Sequence, residues 1–213
     1  MSAERVTKFG HSCVRIESGA ARIVIDPGMF TDVGAVDGAT AILITHEHPD
    51  HWTAEHLLAS DAPVITIQAV ADKIRAESPE AYERVQVIAP GETVDVGLPV
   101  TAVGELHAVI HPEFPRFHNS GFLLHGAKSY FHPGDALTGP DVPVDVLFAP
   151  VSAPWARSSE LIDFMRSVKA PQNLAIHDRI YSDVGAMIFD GHTNTFLPKE
   201  GLAYVRLKDG EDL

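Results

Sequence analysis

Thr45-His46-Glu47-His48-Pro49-Asp50-His51 decides how this chain is read. Three imidazoles and Asp50 fall within six residues, directly after Ala41-Ile42-Leu43-Ile44. That apolar run reads as a buried strand. Pro49 excludes an ordinary helix through the cluster, because it has no N–H and restricts the residue before it. The side chains therefore leave a strand end on a kinked loop and need not all point one way. Imidazole and carboxylate suit divalent zinc, manganese and iron. His46 and His48 can converge on one ion, leaving Asp50 and His51 free for a second.

The order His-x-His-x-Asp-His resembles the metal-binding signature of the metallo-β-lactamase-fold superfamily. Flavodiiron oxidoreductases of that superfamily carry a carboxylate where this chain has His48, so the chain resembles the hydrolase side. The resemblance spans essentially the whole chain. It implies an α/β (α+β) fold, a four-layer αββα sandwich over residues 1–213 as one domain. The small ascorbate-phosphate-lactonase-like hydrolases are the branch it looks most like.

The resemblance also implies the remaining site residues. Asp26, in Ile25-Asp26-Pro27-Gly28, matches the early aspartate that supports the metal loop from behind. His11, in Gly10-His11-Ser12-Cys13, looks like a feature of the same branch and stands either behind the ligands or facing the pocket. The next ligand belongs just past a later strand end, where His107 and His111 compete; His107 is preferred because it follows Thr101–Val103 after a short bend. His111 and Arg116 would then touch substrate, guanidinium being suited to carboxylate and phosphate. Asp135, in Pro133-Gly134-Asp135, matches the bridging aspartate, and His177 the last ligand. The implied set is His46, His48 and His107 on one ion, Asp50, His51 and His177 on the other, and Asp135 between them. Two cations about 3.5–4 Å apart can share a water and lower its pKa toward 7. The reading is a hydrolase that uses this activated hydroxide on a small ester, lactone or phosphoester, with Asp50 orienting the nucleophile and accepting its proton. Zinc is the expected metal, manganese and iron the other options. The alternatives are a mononuclear iron oxidoreductase of the persulfide dioxygenase type and a phosphodiesterase.

Bulk properties agree. The 213 residues are enough for one domain with a core. Sixteen Lys and Arg against 29 Asp and Glu give a net charge of −13. That disfavours nucleic acid and anionic lipid as partners and leaves a small molecule. One cysteine, Cys13, excludes an internal disulfide and fits a reducing compartment. The N-terminus has no signal-peptide pattern and no run approaches a membrane span. A cytoplasmic protein is expected; the oligomeric state is left open.

Along the chain, residues 4–25 read as a β-meander and 29–40 as loop. Thr53 caps a helix through about Ser60, in which His56 is structural, and Trp52 either walls the site or enters the core. A strand Pro63–Gln68, a helix Ala69–Glu77, a strand Arg84–Ala89 and a hairpin over 93–103 follow. Residues 112–118 form a loop over the site mouth. A second hairpin, Asn119–His125 with Lys128–His132, leads to Asp135; His125 reads as structural and His132 as a supporting residue. A strand Pro143–Pro150, a helix capped by Ser158 or Ser159, a strand ending at His177 and a last strand Leu202–Leu207 complete the reading. Tyr181 and His192 are weaker pocket candidates, as is His118.

Overall fold

The computed structural model describes residues 4–213. Met1–Ala3, the start of the N-terminal stretch read for a signal, lie outside the described residues. The first sheet has the order β1(Arg5–Gly10)-β2(Cys13–Ser18)-β3(Ala21–Ile25)-β4(Ala41–Ile44)-β5(Val64–Thr66)-β6(Val85–Val87). Its first three strands are the antiparallel meander, and β3 to β6 run parallel. The second sheet runs β13(Ala203–Val205)-β12(Gln172–Ile176)-β11(Val146–Pro150)-β10(Ser129–His132)-β9(Gly121–His125)-β8(Pro99–Val103)-β7(Thr93–Asp95). It is parallel from β10 to β13 and antiparallel from β7 to β10.

Three apolar layers make this the expected αββα sandwich. Between the sheets, Ile16, Ile23, Ile25 and Leu43 meet Val100, Phe122, Phe148 and Leu174. Outside the first sheet, Val24, Ile42 and Val64 pack against helices α1(Ala54–Leu58), α2(Gln68–Glu77) and α3(Pro79–Tyr82). Outside the second, Phe131, Leu147 and Ala175 pack against α4(Ser158–Val168) and α5(Asp183–Phe196). β4 and β11 are buried at every position, which is why they are unbroken apolar runs in the sequence. Among the described residues, no helix is long and apolar enough to cross a membrane.

Several boundaries differ from the sequence reading, each for a local reason. Gln68 opens α2 instead of closing a strand. The 29–40 loop contains a 3-10 turn, Val33–Val36, because Asp32 accepts from Gly34 N and caps it. Arg157, not a serine, takes the N-cap of α4, with Glu160 accepting from its backbone N–H at 3.0 Å. Helices α3 and α5 were not expected. The exposed face of α5, with Val184, Met187 and Ile188, hides the usual amphipathic contrast.

The chain end covers the β1 edge. Lys8 N donates to Glu211 O, Gly210 N to Lys8 O and Leu213 N to Val6 O, so that edge strand is not left open for pairing with another chain. The buried Lys8 ammonium sits 3.0 Å from Asp178, the residue after His177, and so ties the end of β12 to β1.

One close approach positions the metal-type loop. A Cβ on Gly28 would lie 1.9 Å from the carbonyl oxygen of Asp50, and Met29 N donates to Pro49 O at 2.9 Å. Gly28→Ala must push the 48–51 loop away. The expected outcome is a loss of about 1–3 kcal/mol of stability together with weakened metal uptake, read by thermal unfolding and metal analysis of the same preparation.

Candidate metal centre

Seven of the site residues come from the ends of strands in both sheets. His46, His48, Asp50 and His51 follow β4, His107 follows β8, Asp135 follows β10 and His177 follows β12. They form two adjacent groups that could hold metal ions: His46, His48, His107 and Asp135 in one, His11, Asp50, His51 and His177 in the other. Asp135 faces both. Its Oδ2 lies 3.3 Å from His107 Nε2 and 3.1 Å from His177 Nε2, and its Oδ1 lies 3.2 Å from His51 Nε2.

The outer hydrogen bonds assign the tautomers. His51 Nδ1 donates to Asp26 Oδ2 at 2.7 Å, His107 Nδ1 to Ala108 O at 2.6 Å and His177 Nδ1 to Ser152 O at 2.5 Å. Thr45 Oγ1 gives its proton to Asp26 Oδ2, so it accepts from His46 Nδ1 at 3.0 Å. Each of these rings therefore turns an Nε2 lone pair inward, the arrangement that metal-ligating histidines adopt. His46 Nε2 and His48 Nδ1 are 3.0 Å apart; two lone pairs at that distance need a proton or a cation between them. His51 Nε2, His107 Nε2 and Asp135 Oδ1 are buried with no hydrogen-bond partner, a costly arrangement in a dry interior. The donor set thus fits divalent cations.

His11 is different. Its Nδ1 accepts from Arg179 N at 3.2 Å, so the proton sits on Nε2, 3.1 Å from Asp50 Oδ2. In this tautomer His11 donates to Asp50 and has no lone pair for an ion. Its backbone oxygen accepts from His177 N at 2.9 Å, which ties the two residues together. His132 supports the same loop from the side, donating through Nε2 to Ser12 O and accepting from Gly134 N.

Asp26 is fully buried and accepts from Thr45 N, Thr45 Oγ1 and His51 Nδ1. Asn119 holds the Asp135 loop, accepting from Asp135 N at 3.0 Å and donating to Pro133 O at 2.9 Å. Asn119 was expected only as the start of a strand. Trp155 was not singled out in the sequence either. Its Nε1 donates to Asp135 Oδ2 at 3.2 Å and its ring lies 5.5 Å from His107. A lone tryptophan in a loop just past a strand end, between the strands that lead to Asp135 and His177, was the available signal.

His107 enters the cluster; His111 lies exposed on the loop beyond it. Arg116 Nε is turned back onto His107 O at 2.8 Å. Trp52 enters the outer core beneath the helices. His56 is buried against Thr53 and Thr31 O, so it is structural as expected. His118, His125 and His192 are exposed outside both groups, and Tyr181 packs on Phe189. A cavity of about 520 Å³ is lined by Ile67, Gln68, Pro90, Glu105 and His118. It shares no residue with either group, so it does not locate the chemistry.

The chain matches known proteins. The sequence profile of the beta-lactamase superfamily domain covers residues 5–177. Protein Rv0786c of Mycobacterium tuberculosis is 39% identical over 194 residues, spanning 88% of this chain and 90% of its own. A UPF0173 metal-dependent hydrolase of Nanoarchaeum equitans is 29% identical over 144 residues, 65% of this chain and 63% of its own. The structure of Igni18, a metallo hydrolase from Ignicoccus hospitalis, superposes with a TM-score of 0.76 at 16% identity, over 99% of this chain and 97% of that one, and so shares the fold. The chain belongs to the beta-lactamase superfamily, in its metallo-β-lactamase-fold form. It is a metal-dependent hydrolase of that fold, and its relatives do not favour the dioxygenase or phosphodiesterase alternatives.

Without metal the cluster holds protons instead. Burial disfavours charge on His51, but Asp135 and Asp26 outweigh it and raise its pKa well above the ordinary value. Burial also opposes charge on His177, yet Asp135 and Asp50 raise it to about 9. Burial pushes His11 and His48 down to about 4. His177 therefore stabilises the metal-free fold below about pH 6.5 and loses that contribution as pH rises through about 9. His11 and His48 act oppositely, costing stability as pH falls below about 6.5. The metal-free Tm should peak near pH 6.5 and fall on both sides. Loading at pH 7.5 should release about two protons, from His51 and His177, measured as a buffer-dependent enthalpy in calorimetry.

Proposed function

We propose that the two groups hold a pair of divalent cations, zinc first among the options, and that the enzyme hydrolyses a small ester, lactone or phosphoester. The observation that supports this most directly is Asp135, whose one carboxylate faces His107 of one group and His177 of the other. Cations there would supply Lewis acidity and an acidified water at neutral pH.

The chain's own residues supply the rest. Asp50 is the exposed member of its group: its side chain keeps 22% of its surface, against 3% or less for His51, Asp135 and His177. It faces incoming water. His11 Nε2–H fixes Asp50 Oδ2, and burial with His177 and His51 nearby keeps the His11 ring neutral. The His11 and His177 hydrogen bonds hold the Asp50 carboxyl far below the usual carboxylate range in spite of burial, so it stays ionised and can align a water as a hydrogen-bond acceptor. Phe117, 4.5 Å from His48, and Trp155 exclude bulk water from the sides.

Two experiments test this. Chelation should abolish hydrolysis and added zinc or manganese should restore it, with two metal equivalents per chain in the restored protein. Asp135→Ala or His51→Ala should lose at least one equivalent and about a thousand-fold in kcat/KM; full metal content and turnover in either variant would refute the two-ion reading. His11→Asn separates positioning from ligation, because Asn tolerates the left-handed backbone at this site (φ 46°). It should keep both equivalents and lose about 10–100-fold in kcat, whereas His107→Ala should lose an ion.

A further inference from the structure

Large apolar side chains are not exposed at random on this protein. Eleven of the fifteen among the described residues lie on three segments, 29–33, 106–114 and 180–188. The first and third segments follow Asp26 and His177 and the second contains His107, so three of the strand ends that build the metal centre run on into apolar surface. Singly scattered apolar residues need no explanation, but a clustered patch marks a binding surface.

Aromatic rings join this surface to the centre. Phe30 packs on His11 at 5.2 Å, Phe117 on His48 at 4.5 Å, and Trp155 on His107 at 5.5 Å. On the far side of Phe117 lies a cavity of about 330 Å³, walled by Val109, Ile110, Phe114 and Pro115. That volume is in the range of small-ligand sites, about 300–1,000 Å³. Its polar members are few. His111 Nδ1 accepts from Glu113 N, and Arg116 spends one of its five N–H donors, at Nε, on the His107 carbonyl. Arg179, beside the centre, is ion-paired with Asp209. Apart from the single guanidinium of Arg116, a sugar phosphate or other polyanion would find little to hold it, and the net charge of −13 would repel it.

We infer that the substrate's acyl or aryl part is apolar and packs in the 106–117 segment beside His48 and His107, so that the enzyme takes esters or lactones of hydrophobic acids. This rests on the hydrolase reading above and narrows its substrate class. The reacting carbonyl would face the His and Asp groups that would hold the cations, while the hydrocarbon part leaves water against Val109, Phe114 and Phe117.

The test uses the full chain loaded with zinc or manganese and a series of p-nitrophenyl esters: acetate, butyrate and octanoate. A fully buried methylene is worth up to about four-fold, so kcat/KM should rise at least ten-fold from acetate to octanoate. The double variant Val109→Ser with Phe114→Ser should cut the octanoate-to-acetate ratio at least five-fold; both residues are exposed, so folding is not at stake. Turnover with a flat chain-length profile would overturn this inference and leave the hydrolase reading intact. If the loaded protein hydrolyses none of the series, the ester part of that reading fails, and the pocket is tested separately by tryptophan fluorescence with octanoate and acetate. Octanoate binding at least ten-fold tighter supports the apolar site; equal binding overturns it. A dimer that Met187→Asp dissociates, with a flat profile, would assign the rim to a second copy and also overturn the proposal.

Discussion

The buried Asp26 carboxylate is the constraint on which the site depends. It accepts from Thr45 N and Thr45 Oγ1 at the end of β4 and from His51 Nδ1 six residues later. A carboxylate without water is tolerable only when its lone pairs are met by donors. Here those donors are the two ends of the Thr45–His51 stretch. One group therefore sets where the loop begins, where it ends and which nitrogen of His51 faces inward. Asp26 has a positive φ of 51°, an uncommon conformation for aspartate that this network can hold in place.

The same logic spreads outward. His51, His107 and His177 each spend their outer N–H on an acceptor, and His46 does so through Thr45. The inward lone pairs converge on Asp135, which is itself fixed by Asn119 and Trp155. His11 uses the opposite wiring, accepting from Arg179 N and donating to Asp50. Two rings of the same residue type, both packed against Asp50, thus take different roles because their far nitrogens meet different backbone groups.

The sheets explain why so distant residues meet. β4 and β12 both present C-terminal ends at one end of the sandwich, and the loops after β8 and β10 join them there. Lys8 with Asp178 and the 207–213 tail along β1 hold the edge beside His177. The apolar layer between the sheets keeps the two halves of the centre in register, so stability and function share the same packing.

Much of this was legible in the chain. His46, His48, Asp50 and His51 are local: their spacing on a proline-kinked loop after an apolar strand states the chemistry without any long-range information. The αββα architecture, Asp26, Asp135 and His177 could be placed through the resemblance, because each sits in a short strand-end motif. What sequence left open was non-local. The choice of His107 over His111 depends on how the loop after Gly104 folds back, with His107 N donating to Phe117 O. Asn119 and Trp155 carry no motif, since their partners lie on other strands. The role of His11 follows from one backbone N–H at residue 179, 168 positions away. Residue types and local spacing fixed which atoms can bind a cation; the packing of two sheets decided which nitrogens face it, because a histidine's outer partner sets its tautomer and that partner is brought by the fold.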